Sequence, residues 1–108
     1  MVKTKKYPNK INIIGKNYSI SYVDNLSEAD HAKFESVFGS IDLVNRTIRI
    51  YRGERPSEDI FDTVLHETLH GICTELSIRM KHTDLNTLAV ALADTFIRNN
   101  WIKLDDWK

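Results

Sequence analysis

The chain has a single cysteine, Cys73, among its 108 residues. No intramolecular disulfide can form, and the fold must be held by its core. Two prolines and four glycines are too few for a collagen-like or linker-rich chain. Neither sign of charge prevails. Fifteen Lys and Arg oppose fifteen Asp and Glu, so nothing in the whole-chain charge calls for nucleic acid or a membrane surface. No apolar run approaches the roughly 20 residues of a membrane span. Lys3, Lys5 and Lys6 are not followed by the apolar stretch of a secretory signal. Internal repeats and low-complexity segments are also missing. What remains, at 42% apolar and 28% charged residues, reads as one soluble domain with one core. A cytoplasmic location is expected, with no nucleic-acid or membrane partner. The sequence does not set the oligomeric state.

Residues 1–10 read as a basic, flexible lead-in, and 11–108 as the domain. Ile11 to Ile14 and Tyr18 to Val23 alternate apolar and polar residues around a turn at Gly15-Lys16-Asn17, which predicts a β-hairpin. Ser27 is a candidate cap for a short helix over 28–37, in which His31 reads as a surface histidine, with a role at a cleft as the alternative. Gly39 to Leu43 and Thr47 to Tyr51 form a second hairpin turning at 44–46, with Arg49 on the face opposite Ile48 and Ile50. Gly53 and Pro56 end it. A helix follows from about 58 to 76, capped by Ser57, and a last helix from about 84 to 99, capped by Thr83 or Asp84. In the last helix Leu85, Leu88, Ala89, Leu92, Ala93 and Phe96 share a face. Trp101, Ile102, Leu104 and Trp107 make an apolar tail that packs back on the body. The pattern is that of an α+β protein: a small antiparallel sheet of two hairpins packed on two helices.

Chemistry concentrates in the first of these helices. His66-Glu67-Thr68-Leu69-His70 spells His-Glu-x-x-His, which arises by chance in roughly one chain of this length in a few hundred. Helical positions four apart lie about 40° apart, so His66 and His70 can face one ion, with Glu67 beside it. Two imidazoles and an adjacent carboxylate are what metal-assisted hydrolysis requires. Taking His66 as the origin, Phe61, Leu65, Leu69, Ile72, Cys73 and Leu76 fall at about 220–340°. This stripe predicts the buried face, with the histidines at its edge and Cys73 as a core residue.

With that motif behind two hairpins, the chain resembles the zincin metallopeptidases, and more narrowly the very small zincin-like proteins encoded in phages and prophages. Ile41-Asp42, Thr47-Ile48-Arg49-Ile50, Thr63 through His70, and Leu88-Ala89 through Arg98-Asn99-Asn100 carry the likeness, over about residues 11–100. The resemblance implies a minimal zincin-like fold with Zn2+ as cofactor and His66 and His70 as its ligands. Glu67 would be the general base, acting with zinc-activated water on a peptide or protein substrate in the host cytoplasm. It further implies that residues 47–51 hold an extended substrate. The alternative is a non-catalytic binding or regulatory protein on the same scaffold, its metal structural or absent.

A catalytic zinc takes three protein ligands, and the third is open in the sequence. The resemblance places an acid near the start of the last helix, where Asn86 stands, and a neutral amide is a weak zinc ligand. His82 is favoured for its spacing and donor type. Asp84, Asn86 or another residue are the alternatives, as is no third protein ligand. Glu75 should face away from His66 and Asp94 should face solvent. Asp62, one turn before His66, could accept its second ring N–H or serve as a first-turn acid on the helix dipole. Tyr51, at the end of its strand, is a candidate oxyanion donor on the substrate side.

Overall fold

The structure, a computed structural model, describes residues 7–25 and 38–107. The helix expected over 28–37, with His31, lies outside the described residues. Four strands, β1 (Lys10–Ile13), β2 (Lys16–Val23), β3 (Gly39–Asp42) and β4 (Thr47–Tyr51), precede helices α1 (Ser57–Leu76) and α2 (His82–Arg98). A short 3-10 turn, Leu104–Asp106, ends the chain's regular structure. The class is α+β, and among the described residues no helix is long and apolar enough to cross a membrane.

Both hairpins form. The first turns at Ile14-Gly15, one step earlier than the sequence suggests, and Lys16 and Asn17 already belong to β2. Both turn residues have positive φ, 49° and 81°, the twist that suits a two-residue hairpin. The Asn12 side-chain oxygen accepts the Gly15 N–H at 2.9 Å and fixes the turn. In the second hairpin Asp42 Oδ1 accepts the N–H groups of Val44 and Asn45, each at 3.0 Å.

The sheet itself is mixed, not antiparallel. Its order is β1-β2-β4-β3, and the hairpins join through a parallel pairing of β2 with β4, Ser19 opposite Thr47 through Val23 opposite Tyr51. A tight turn dictates pairing within a hairpin, whereas pairing between hairpins is decided by which apolar rows lie side by side. Here Ile20 neighbours Ile48 and Tyr22 neighbours Ile50, so the inner face carries one continuous row. Ile13, Tyr18, Ile20, Ile41, Ile48 and Ile50 form the core with Ile60 and Val64 of α1.

Helix α1 meets this face through a different side from the one its leucines suggest. Its buried residues are Ile60, Phe61, Thr63, Val64, His66, Glu67 and Gly71, centred roughly 110° from His66 at 100° per residue. Of the expected stripe, only Phe61 is buried. Leu65, Leu69, Ile72 and Cys73 are half-buried, and Leu76 is 52% exposed. Close approach explains the choice. A Cβ on Gly71 would stand 2.9 Å from Ile13 Cδ1 and 3.3 Å from Ile41 Cδ1, so the missing side chain lets the helix settle onto the sheet. The other helix, α2, buries Leu85, Ala89 and Ala93, three of the residues expected on its apolar face, while Leu88 is exposed.

The expected caps differ as well. Pro56 is the N-cap of α1, and the Ser57 hydroxyl instead donates to the Trp107 carbonyl at 2.9 Å. Lys81 precedes α2, which begins at His82 without a side-chain cap from Thr83 or Asp84. Residues 7–10, within the expected lead-in, are tied to the sheet. The Asn9 carbonyl accepts the Ile20 N–H at 2.8 Å, and the Pro8 carbonyl accepts the Tyr22 hydroxyl at 2.7 Å. The tail divides. Trp107 packs edge-on against Tyr7 and Phe61, whereas Trp101 is 69% exposed with one face near Phe96.

Candidate metal centre

One turn of α1 supplies His66 and His70, and the first residue of α2 supplies His82. Their rings meet: centroids lie 5.0 Å apart for His66 and His70, 5.0 Å for His66 and His82, and 5.4 Å for His70 and His82. One nitrogen from each lies within 4.8 Å of the others, so the three could hold a metal ion. Two α1 positions four apart converge by helix geometry alone. His82 arrives because α2 folds back against α1 and starts at the level of the second histidine.

The donor chemistry suits a cation. The imidazole of His66 is 4% exposed, and its Nε2 is buried with no hydrogen-bond partner. A buried nitrogen without a partner is costly, and a metal ion would satisfy it. Burial first, then the neighbouring His70 and His82, push the His66 pKa down to about 4. The ring is therefore neutral near pH 7, the state in which an imidazole ligates. Asn86, one turn into α2, lines the same cleft as His66 and acts on its titration against the larger effects of burial and the other two rings. That is a place from which an outer partner orients a metal-binding histidine.

Glu67 is fully buried. It occupies the middle of the face that α1 turns to the sheet, next to the start of β3. A Cβ built on Gly39 would stand 3.2 Å from Glu67 Oε2 and 2.9 Å from Thr63 Cγ2. The carboxylate is thus packed against bare backbone, behind the histidines.

The other residues singled out from sequence separate clearly. Glu75 is bound to Lys16, with one Nζ–Oε2 contact at 2.8 Å, and stays outside the triad. Asp94 pairs with Arg98 in solvent, and Asp84 is an exposed first-turn acid of α2. Half-buried Cys73 is not part of the cluster. Asp62 lies beyond the first turn of α1, whose acids are Glu58 and Asp59. Its Oδ1 is buried without a hydrogen-bond partner, and Asp62 is not among the groups acting on His66. Tyr51 stacks on Phe38 with centroids 6.2 Å apart and folds over Gly53, and it is not among the residues that line the cleft beside His66.

That cleft, about 470 Å³, opens beside His66. Arg55 forms one wall and went unnoticed in the sequence. Its guanidinium donates to the Tyr51 carbonyl at 2.7 Å, the Asp59 carbonyl at 3.0 Å and Thr63 Oγ1 at 2.7 Å, and it lies 4.4 Å from the Phe38 ring centroid. It thereby ties the end of β4 to the first turns of α1. No local pattern announces such a residue: its acceptors lie only four to eight residues away, and it is the turn between β4 and α1 that brings them together. A separate hollow of about 510 Å³ on the β3–β4 hairpin contains none of the three histidines.

No family model matches the chain, and no curated protein or solved structure matches it. The site therefore has to be read from its own chemistry.

Proposed function

We propose that the protein is a zinc-dependent peptidase-like hydrolase of minimal zincin type. The observation that carries this reading is the meeting of three imidazoles directly beside the glutamate of a His-Glu-x-x-His turn. His66, His70 and His82 would hold the ion, and Asn86 would keep His66 in orientation. A zinc ion bound there would polarise the scissile carbonyl and lower the pKa of an attacking water. Glu67 would take the proton from that water and pass it to the leaving amine. Gly39 lets the carboxylate sit where it does, and Arg55 secures the helix start that carries it.

An extended substrate would pair with β3 rather than with residues 47–51. β4 is hydrogen-bonded on both sides, to β2 and to β3. β3 is one of the two edge strands among the described residues, β1 being the other, and its first residue, Gly39, lies beside Glu67, so its backbone is the one near the triad open to a peptide.

A second reading, a binding protein with a structural metal on the same scaffold, draws on the complete burial of Glu67. One experiment separates the two. Protein loaded with zinc is assayed on quenched-fluorescence peptides before and after chelation, alongside Glu67→Gln. The peptidase reading expects about one zinc per chain in both proteins, activity that disappears with the metal, and a loss of roughly 10²–10⁴-fold in the variant. Activity that survives Glu67→Gln would refute the general-base assignment, and inactivity of the zinc-loaded parent would favour the binding reading.

A further inference from the structure

We infer that the end of the molecule carrying both hairpin turns docks on an anionic lipid surface. The parallel pairing of β2 with β4 sets the starts of these strands side by side, so the turns at 14–15 and 43–46 share one end of the sheet. The last turns of α1 reach the same end. Gly71 lies against Ile13 and Ile41, and Glu75 is bound to Lys16. The connection to α2 leaves from there.

Six of the ten exposed large apolar side chains among the described residues gather here: Ile14, Leu43, Val44, Leu76, Ile78 and Met80. Val44, in its turn, is 89% exposed. Single exposed apolar residues are ordinary, but such a grouping marks an interaction surface. Charge identifies the occupant. Segments 14–16, 42–46 and 75–81 carry Lys16, Arg46, Arg79 and Lys81 against Asp42 and Glu75. Lys16 and Glu75 cancel in their ion pair, and Asp42 turns one oxygen to the N–H groups of its own turn. Arg46, Arg79 and Lys81 are exposed and have no ion pair among the described residues. The even charge of the whole chain hides this basic end. A second copy would bring these cations against their own equivalents. The apolar groups stand on three separate projections. A lipid interface takes up such side chains one at a time and supplies the negative charge, whereas a protein partner would have to fit each one.

Sedimentation of the full chain with vesicles is the test. Vesicles holding about one-third phosphatidylserine should bind roughly tenfold or more above pure phosphatidylcholine, at about fivefold per unbalanced cation, and salt should weaken the binding. Val44→Ser with Ile78→Ser should cut it at least about tenfold, and Arg46→Asn with Arg79→Gln by a similar factor. All four positions are exposed, so the variants should melt with the parent; if they do not fold, the two vesicles compared on the parent decide. Trp101→Ser, beyond the far end of α2, should bind as the parent does. No binding, equal binding to both vesicles, or a loss that follows Trp101→Ser would overturn the proposal. So would a dimer that Val44→Ser with Ile78→Ser dissolves, or an acidic amphipathic peptide bound while vesicles are ignored. The measurement requires neither zinc nor hydrolysis, so its failure leaves the peptidase reading standing. Where both hold, the triad sits about 9 Å up α1 from Leu76, within reach of protein segments next to the bilayer.

Discussion

Two glycines at the helix–sheet interface should respond to alanine very differently. Gly39 has ordinary backbone angles, so space alone decides its case. An added Cβ would stand 2.9 Å from Thr63 Cγ2, 3.2 Å from the Arg49 carbonyl oxygen and 3.2 Å from Glu67 Oε2. None of these yields easily. Thr63 is β-branched, and its hydroxyl bonds to Asp59 and Arg55. The Arg49 oxygen is backbone in the centre of the sheet. Overpacking of this kind costs about 1–3 kcal/mol, and in a domain this small each kcal/mol lowers Tm by roughly 4–8 °C. Gly71→Ala presses on the Cδ1 methyls of Ile13 and Ile41, which can turn aside, and meets the Ile13 Cγ2 methyl at an ordinary contact distance of 3.5 Å. It also gains up to about 1 kcal/mol of helix propensity, so its net effect should lie within about 1 kcal/mol of zero. Circular-dichroism melts of the two metal-free variants make the comparison. Hydrolysis adds a second measure, because displacing Glu67 by a few tenths of an ångström should slow Gly39→Ala roughly tenfold, with zinc still bound. A Gly39→Ala chain that melts with the parent, or a Gly71→Ala chain that suffers more, would refute the account of how α1 sits on the sheet.

His82→Ala should leave the melting temperature of the metal-free protein almost unchanged, since the ring is exposed. Zinc affinity in competition titrations should fall more than about 100-fold, beyond what loss of an outer partner does. Asn86→Ala should weaken zinc by roughly tenfold without removing a ligand, and an unchanged affinity would show that Asn86 orients nothing. The metal-free protein should lose stability in mild acid. The folded pKa of His66 is held at about 4, below its ordinary 6.5. Above 6.5 both folded and unfolded chains keep the ring neutral and stability is whole. As pH falls toward 4 the unfolded chain takes up a proton the folded chain refuses. Stability therefore declines across that window, by at most about 3 kcal/mol. Denaturant titrations from pH 7 to 4 would reveal it, and the same slope in His66→Gln would assign it to another group.

Much of this arrangement can be read from local chemistry. Alternation in 11–23 and 39–51 locates the four strands of the described residues, because a strand with one wet face must alternate. The motif locates the two histidines of α1, because helix geometry leaves them no choice. His82 is foreseen by donor type and by the short connection between the helices. Pairing between the hairpins is not legible, since nothing within either one records its neighbour. The side of α1 that meets the sheet is misread for a related reason. Leu65, Leu69 and Leu76 look like the core stripe by hydropathy, yet closeness of approach decides the contact, and that favours Thr63, Val64 and Gly71. Ser57 looks like a cap, but its hydroxyl is taken by Trp107, fifty residues away.

The misread face also bears on the chemistry. With the buried side centred near Glu67, exposure rises in order from Glu67 through His66 and His70 to His82. Had the leucine stripe faced the sheet, Glu67 would have pointed outward as an ordinary surface acid. In the observed orientation the carboxylate is fully buried beside the Gly39 backbone, which limits its rotamers. His82 and Asn86 are the exposed residues beside the three rings. An ion entering there would meet an exposed ring first and the preset, neutral His66 last, with the acid already fixed behind it. That order separates binding from positioning. Residues of α2 should govern how readily metal is taken up, while those around Gly39 and Thr63 should govern what the bound site can do.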